Sequence, residues 1–161
     1  MAECVILVGL PGAGKTTFYR QRLERTHLHI SKDLFPSSAR NKQARQDALL
    51  HEALVSGRSV AVDNTNVSAA ERAGIVAIAR AHGARVACVF IVASTREAVG
   101  RNERRDGREK VPKVAIFTKA KRLEIPQMSE GFDDLRGYRV DANGTFEEVT
   151  IPPAGSSPLA S

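Results

Sequence analysis

The sequence has few cysteines and few aromatic residues, and both shortages narrow what the protein can do. Its two cysteines, Cys4 and Cys88, each lie inside an apolar run. They provide neither a disulfide framework nor the ligand spacing of a metal site, so we expect two small core residues in a reducing cytoplasm. The chain has six phenylalanines, two tyrosines and no tryptophan, so any grip on nucleic acid should be mainly electrostatic.

Long hydrophobic segments are also missing. The longest apolar runs, such as VACVFIVA at 86–93, fall far short of the roughly 20 residues that span a bilayer. The first residues, MAECVILVG, lead directly into a predicted strand, with no charged leader before it. Hydrophobic residues make up 42% of the chain and charged residues 26%, which is typical of a soluble globular protein. We therefore expect a cytoplasmic protein with no membrane partner.

The apolar segments alternate between strand-like and helical patterns. Short buried runs predict four strands, at 4–9, 27–31, 59–63 and 85–93. Longer amphipathic patterns predict helices over about 15–25, up to Gly57, and over 68–83. Strands separated by helices favour a parallel sheet with helices on its faces, an α/β fold. In such sheets ligands bind beyond the carboxyl ends of the strands.

Local signals refine this organisation. Ser68 and Glu71 have the spacing of a capping box and Gly83 follows the helix that they start. The helix before Gly57 has a predicted apolar stripe of Ala48, Leu50, Ala53 and Leu54. The last strands are predicted as a hairpin over 137–151 that turns at Asn143-Gly144. We interpret residues 1–151 as one domain and expect the tail, 152–161, to be disordered.

The chain's formal net charge of +6 is concentrated in one segment. Residues 101–122 contain nine Lys or Arg and three Asp or Glu, a local excess equal to that of the whole chain. Such a segment favours an anionic partner, either nucleic acid or the phosphates of a nucleotide. It is also compatible with a solvated surface that has no partner.

The residues GLPGAGKT, from Gly9 to Thr16, match the phosphate-binding pattern GxxxxGK[ST] in full. The motif stands between a predicted buried strand and a predicted helix, the context in which it binds phosphates. Lys15 should neutralise the β- and γ-phosphates, and the Thr16 hydroxyl should ligate Mg²⁺. We expect a nucleoside triphosphate, ATP in the first place, bound by the residues of this loop: Gly9, Pro11, Gly12, Ala13, Gly14, Lys15, Thr16 and Thr17.

Two acids follow predicted strands at the same edge of the sheet. Asp33 ends HLHISKD, where it could accept a proton from a substrate hydroxyl as a general base or cap the following turn. Asp63 begins DNTN at the end of the next strand, as a Walker B acid does, and could hold a water on the magnesium shell. Asn64 and Thr65 offer further polar contacts. The Asn-Lys-x-Asp pattern expected of a GTPase is absent.

The segments GLPGAGKTTF, SKD, AVDNTN, RNERR with a later VP, and EIPQMSEGFDD occur in the same order as in P-loop polynucleotide 5′-kinases. Over about residues 5 to 140 the chain resembles this family, which includes the kinase module of the polynucleotide kinase-phosphatases, and small AAA_33-like P-loop kinases. DNTN together with E-x-P-x-x-x-E-G-F is more specific than the P-loop alone. The resemblance implies an adenylate-kinase-like, three-layer α/β/α P-loop NTPase fold with a parallel central sheet and a helical lid.

The resemblance also implies roles for individual residues. Asp33 would activate a 5′-hydroxyl and, like Asp63, would contact Mg²⁺ through water. Arg101 and Arg105 match the paired arginines of the family's lid, here at about 101–113, and would stabilise charge on the transferred group together with Lys15. A helix ending near here would place both arginines on one face, one turn apart. Two others, Arg104 and Arg108, are expected to face solvent or nucleic acid.

The chain departs from the family at the acceptor side. Some polynucleotide kinases have an arginine three residues after the base, where this chain has Pro36. Arg40, Lys42 or Arg45 could replace it as a substrate contact, beside Asn64 and Thr65. The acid pair of the phosphatase half is absent, so no second catalytic domain is expected in this chain. In the family the segment 123–135 would lie near the nucleotide base, although Ile125 and Phe132 could equally be core residues.

The predicted function is therefore an ATP- and Mg²⁺-dependent kinase that phosphorylates the 5′-hydroxyl end of DNA or RNA, as in nucleic-acid end healing. One alternative is a kinase for a small-molecule hydroxyl, on a nucleoside, sugar acid or antibiotic, since basic lids also serve such enzymes. Another is an ATP-binding regulatory module with little transfer activity.

Overall fold

A computed structural model of the protein describes residues 1–107 and 110–156. Arg108 and Glu109 of the predicted lid, and residues 157–161 of the predicted tail, lie outside this range. The strands of the described part are β1 (Glu3–Val8), β2 (Leu28–Ile30), β3 (Val60–Asp63), β4 (Arg85–Ile91), β5 (Asp134–Val140) and β6 (Phe146–Val149). Its α-helices are α1 (Lys15–Arg22), α2 (Lys42–Val55), α3 (Ala69–Ala81), α4 (Thr95–Glu103) and α5 (Lys113–Arg122). Over these residues no helix combines the length and apolar character that a bilayer span needs.

The six strands form one sheet in the order β2-β3-β1-β4-β5-β6. The first five in this order are parallel, and β6 is antiparallel to β5. The structure therefore confirms the predicted α/β class with a mainly parallel sheet. Because β1 lies between β3 and β4, the loop that follows β1 opens at the middle of the carboxyl edge, where ligands bind in folds of this kind.

The terminal hairpin is longer than predicted at its first strand. β5 begins at Asp134 rather than at 137, and it pairs in parallel with β4 before it turns back into β6. Leu135 packs against the core, which explains why the strand extends to this side. The turn itself lies at Asn143-Gly144 as predicted, between Asp141 and Thr145, whose backbone groups are joined by a hydrogen bond of 2.9 Å.

Helices cover both faces of the sheet, which gives the expected three layers. On one face α2 and α3 pack through residues such as Leu50 and Ile75. On the other face α1, α4 and α5 pack through Phe18, Ala98 and Ile116. The two cysteines are fully buried in the first of these clusters, as predicted. Burial raises the pKa of the Cys4 thiol to about 12 and raises that of Cys88 as well, so both thiols are unreactive at neutral pH.

The predicted start and stop of α3 are confirmed, but the capping box is only half formed, because the Glu71 carboxylate lies 3.3 Å from Arg122 and does not bond back to the N–H of Ser68. The Ser68 hydroxyl accepts a hydrogen bond of 3.1 Å from the backbone N–H of Glu71, which satisfies one of the free donors of the first turn. Gly83, just beyond the helix, has a φ of 68°. That left-handed conformation favours glycine and ends the helix.

The buried face of α2 differs from the prediction. Ala48 was expected on the apolar stripe, but it is exposed, and Gln46 is buried in its place at 2% exposure. Gln46 lies one turn before Leu50 and so shares its face. Its side-chain oxygen accepts a hydrogen bond of 2.7 Å from Asn64. A buried amide with such a partner avoids most of the cost of leaving water.

Candidate active site

The loop between β1 and α1 has left-handed backbone conformations at two of its glycines. Gly12 and Gly14 have φ values of 85° and 112°, conformations that other residues rarely adopt. A Cβ atom at Gly12 would lie 2.5 Å from the carbonyl oxygen of Ala98, so the loop touches the backbone of α4. The N–H of Gly9 donates to the carbonyl of Thr65 at 3.1 Å. The loop is thus held from two sides, by α4 and by the segment after β3.

Lys15, the lysine of the phosphate-binding motif, is buried at 8% exposure. Its Nζ donates to the carbonyl oxygens of Gly9 and Leu10 at 3.0 and 2.9 Å. Burial lowers the pKa of Lys15 to about 8 against the opposing effect of Asp63, and the charges of Arg105 and Asp33 also act on it. The charge of Lys119, on α5, also lowers the pKa of Lys15. Sequence reasoning missed Lys119, because its spacing from the other residues carries no motif.

Thr16 and Asp63 are joined in a short chain of hydrogen bonds. The Thr16 hydroxyl donates to Asp63 Oδ2 at 2.8 Å, and His29 Nε2 lies 2.8 Å from the same oxygen. Burial would raise the pKa of Asp63, but the bonds from His29 and Thr16 and the charge of Lys15 outweigh it, so the pKa lies below its usual value. Asp63 is therefore ionised at neutral pH.

These oxygen donors are suited to a magnesium ion. Because the Thr16 hydroxyl gives its hydrogen to Asp63, its lone pairs are available to a cation. Mg²⁺ prefers oxygen ligands and is usually held by one or two carboxylates together with substrate phosphates. Thr16 and Asp63 thus have the chemistry to hold Mg²⁺ beside the phosphate loop.

His29 is a second residue that sequence reasoning missed. It lies in β2, and its ring stacks on that of Tyr19 of α1, with centroids 4.1 Å apart and planes at 15°. The Tyr19 hydroxyl donates to the carbonyl of His27 at 2.7 Å. The stacking and this bond fix the imidazole where it reaches Asp63. The signal in the sequence that could have identified His29 is its position as a polar residue between Leu28 and Ile30.

Asp33 lies on a short 3-10 helix, Lys32–Leu34, directly after β2. The Ser31 hydroxyl caps this turn by accepting from the Asp33 N–H at 3.2 Å. The Asn64 side chain accepts from the Lys32 N–H at 2.9 Å and donates to Gln46. The contacts of Asn64 thus hold the turn that carries Asp33, and Asp33 itself is exposed at the edge of the sheet.

The end of the DNTN segment is held by a buried ion pair. Arg72 of α3 is fully buried, and its guanidinium makes two bonds to the Glu130 carboxylate, at 2.7 and 2.9 Å. It also donates to the carbonyls of Asn66 and Val67 at 2.9 and 3.1 Å. Asn66, with a φ of 47°, donates to the Leu7 carbonyl at 2.8 Å. Glu130, although distant in sequence, therefore holds Arg72 in place, and Arg72 in turn holds the segment after β3.

Ile125 and Phe132, which flank Glu130, are 6% and 5% exposed and belong to the core cluster on the α2 and α3 face. The interpretation of these two residues as core is thus confirmed.

The predicted arginine pair does not share one helical face. α4 contains Arg101 but ends at Glu103, and the N–H of Arg105 bonds to the Asn102 carbonyl at 3.0 Å in a tight turn. The expectation of a helix through both residues was wrong because the chain turns after Glu103: the N–H groups of Arg104 and Arg105 bond to carbonyls three residues back, not four. Burial first, and then the charge of Arg104, lowers the pKa of Arg101. Arg105 is half-buried, and its charge acts on Lys15.

Asn102 closes the loop that follows α4. Its amide nitrogen donates to the Val111 carbonyl at 2.6 Å, and its amide oxygen accepts from the Val111 N–H at 2.9 Å. The side chain thus pairs with one residue as a neighbouring strand would. It joins the two ends of the connection between α4 and α5, which carries Arg104, Arg105 and Lys110 and which we call the basic loop.

The predicted acceptor contacts lie at the start of α2. Arg40 is exposed and Lys42 is the first residue of the helix, which Asn41 caps through a bond of 3.2 Å from the Ala44 N–H. The Arg45 guanidinium lies 5.1 Å from the ring centroid of Phe35, a cation–π contact. Arg45 therefore packs α2 against the segment that carries Asp33.

Comparison with known proteins adds family evidence to this geometry. The family model of an AAA domain, AAA_33, matches residues 4–126. The bifunctional polynucleotide phosphatase/kinase of Schizosaccharomyces pombe is 26% identical over 137 residues, which cover 83% of this chain and 32% of that protein. The chain thus spans about a third of the length of this relative.

Solved structures share the fold. A fungal RNA kinase superposes with a TM-score of 0.67 at 18% identity, over 89% of this chain and 40% of that one. A gluconokinase from Sinorhizobium meliloti 1021 superposes with a TM-score of 0.60 at 18% identity, over 84% of this chain and 82% of that one. At these identities the likeness establishes the fold and leaves the substrate open.

Proposed function

We propose that this chain, which belongs to the AAA_33 family of AAA domains, is an ATP-dependent kinase for the 5′-hydroxyl end of DNA or RNA. The observation that carries the proposal is the set of groups at the carboxyl edge of the sheet. Lys15 Nζ donates to the carbonyls of Gly9 and Leu10 at 3.0 and 2.9 Å. The Thr16 hydroxyl donates to Asp63 at 2.8 Å, while Asp33 directly follows β2, the strand beside β3. Phosphoryl transfer needs a carboxylate near the acceptor hydroxyl and cations around the transferred group. The similarity to a polynucleotide phosphatase/kinase over 83% of this chain supports a polynucleotide as the acceptor.

In the proposed reaction the acceptor oxygen bonds to the γ-phosphorus of ATP while the bond from that phosphorus to the β–γ bridging oxygen breaks, and ADP leaves. Asp33 takes the proton of the hydroxyl. Lys15, Arg101 and Arg105 stabilise the charge on the transferred phosphoryl oxygens. Thr16, as a direct ligand, and Asp63 and Asp33, through water, would hold Mg²⁺, which would neutralise the phosphate charges.

Residues at the start of α2 would bind a phosphate of the polynucleotide acceptor. Arg40 and Lys42 are the stronger candidates, because Arg45 is stacked on Phe35. Thr65 remains a proposed substrate contact through its side chain, since only its carbonyl is used in holding the P-loop. Asn64 was predicted as a contact of the same kind, and its two hydrogen bonds favour positioning the Asp33 turn instead.

A small-molecule acceptor is the second candidate. The gluconokinase superposes over 84% of this chain and the fungal RNA kinase over 89%, so kinases named for a small molecule and for RNA share this fold. The two candidates differ in their response to salt. Binding of a polynucleotide should weaken steeply as salt rises, because many phosphate contacts release counterions, whereas a small acceptor with at most one negative charge, such as gluconate, should respond little.

The test is transfer from γ-labelled ATP with Mg²⁺ to a short 5′-hydroxyl oligonucleotide, run beside a pool of hydroxylated metabolites that includes gluconate. Asp33→Asn should abolish transfer and retain ATP binding. Asp47→Asn, the same change on the outer part of α2, should leave transfer unchanged. Label on the oligonucleotide in the wild type supports the proposal. Label only on a metabolite overturns the polynucleotide acceptor, and ATP binding without transfer to any acceptor indicates a regulatory module.

A further inference from the structure

Phe117 is unlike the other phenylalanines of the chain. All six lie within the described residues, and five are buried. Phe117, on α5, is 45% exposed, and Val114, one turn before it, is 68% exposed. A large aromatic ring left in water beside a second apolar side chain suggests a surface that is covered when a partner binds.

The neighbours of Phe117 on the same side of the helix are lysines. Lys113 and Lys121 lie four residues before and after it, so the three side chains follow one another along one face. Both lysines are exposed, and α5 contains no acidic residue. We call the surface formed by Lys113, Val114, Phe117 and Lys121 the α5 outer face.

The opposite side of α5 is tied to the candidate active site. Ile116 is fully buried in the same cluster as the P-loop residues Leu10 and Ala13. The charge of Lys119 acts on Lys15. The α5 outer face is therefore about one helix diameter, roughly 10–12 Å, from the side of α5 that faces the phosphate loop.

We propose that the α5 outer face binds the single strand of the polynucleotide beyond its reacting 5′ end. This inference rests on the proposed polynucleotide acceptor. The Phe117 ring would stack on a base, and Lys113 and Lys121 would contact phosphates on either side of it. An aromatic platform between cations is the arrangement by which proteins hold single strands without reading their sequence.

The charges favour nucleic acid over a protein partner or a second copy of this chain. Two copies that met through this face would bring their lysines together, and like charges across an interface are unfavourable. A polyanion with exposed bases complements both the cations and the ring. On the same helix Arg122 lies 3.3 Å from Glu71, whereas Lys113 and Lys121 are exposed.

The first measurement is the affinity of a fluorescent single-stranded oligonucleotide in the intact chain, by anisotropy over a series of salt concentrations. Phe117→Ala should weaken binding by about 5- to 150-fold, the effect of losing one stacked base, and Phe117→Trp should preserve it. Lys113→Gln and Lys121→Gln should each reduce the slope of log affinity against log salt by about 0.7. Two controls far from this face, Val55→Ala and Arg58→Gln, should change neither quantity.

The second measurement separates this inference from the proposed function. With a long acceptor, Phe117→Ala should raise KM with little change in kcat, and with a dinucleotide acceptor it should change neither. If the wild type phosphorylates oligonucleotides and the Phe117→Ala protein has the same KM for them, the inference is overturned and the proposed function is kept. Phe117-dependent binding of the strand without transfer to it keeps the inference and overturns the proposed function. If Phe117→Ala changes the oligomeric state of the protein but not its affinity for the strand, this face joins two copies of the chain, which also overturns the inference.

Discussion

The Asn102 side chain offers the sharpest test of how the basic loop is held near the phosphate loop. It makes two bonds to the backbone of Val111, at 2.6 and 2.9 Å, and is itself 1% exposed. In Asn102→Ala both Val111 groups lose their partner. A buried polar group without a partner costs about 1–3 kcal/mol, so about 2–6 kcal/mol is the upper limit for two.

The expected loss of stability is smaller than that limit, about 1–3 kcal/mol, because Val111 is only partly buried and its groups can reach water once the loop opens. The opening should appear directly as faster hydrogen exchange at the Val111 amide. It should also lower kcat, since Arg105 would no longer be held close to Lys15. Asn143→Ala, at the exposed hairpin turn, is the matched control and should behave as the wild type.

The reasoning would be refuted by an Asn102→Ala protein with unfolding free energy, Val111 exchange and kcat equal to those of Asn143→Ala. That result would mean that the loop keeps its place without the amide pair. A loss of stability with unchanged kcat would refute only the link between the loop and the transfer reaction.

Three further predictions concern the frame around the site. Gly12→Ala should destabilise the protein by about 1–3 kcal/mol, because the new Cβ would lie 2.5 Å from a carbonyl oxygen at a φ of 85°; Gly74→Ala, with open space around it, should be neutral or stabilising in the same thermal unfolding assay. Glu130→Gln should cost about 3 kcal/mol in urea unfolding, because it leaves the fully buried Arg72 without its counter-charge, and a cost near zero would contradict this account. The pKa of Asp133 lies below its usual value because of hydrogen bonds from Arg80 and the Val86 N–H. Its contribution is therefore complete above the unfolded-state pKa of about 4 and is lost as pH falls through the folded-state pKa, so the stability difference from Asp133→Asn should shrink in acid.

Much of the fold could be predicted because its signals are local. The run from Cys4 to Gly9 reads as a buried strand, and the glycines and Lys15 that follow it define a phosphate loop by spacing alone. The strand and helix of the phosphate loop, and the cap of α3 at Ser68, depend on residues close in sequence. The start of β5 at Asp134 could not be predicted in this way, since it is determined by pairing with β4.

The supporting contacts of the site could not be predicted, because each joins residues from distant parts of the chain. Gln46 looks like a solvent-facing residue of α2 until Asn64 is placed opposite it. Asn102 lies in a run of charges and looks like part of a solvated helix, yet it is buried and closes a loop. Periodicity identifies apolar faces, but it gives no sign that a polar residue will find a partner.

The same distinction explains why the reaction class is easier to infer than the acceptor. Most of the residues predicted to bind the triphosphate lie on one loop with a fixed spacing, from Gly9 to Thr17, and their geometry follows from the backbone of that loop. The proposed acceptor contacts are spread over the turn at Asp33, the start of α2 and the α5 outer face, which are distant in sequence and lie on both faces of the sheet. A change in any of these elements could alter the acceptor without disturbing the phosphate loop. Variants of Arg40, Lys42 and Phe117 should therefore shift KM between acceptors at constant affinity for ATP, whereas variants of Lys15 should weaken ATP binding with every acceptor.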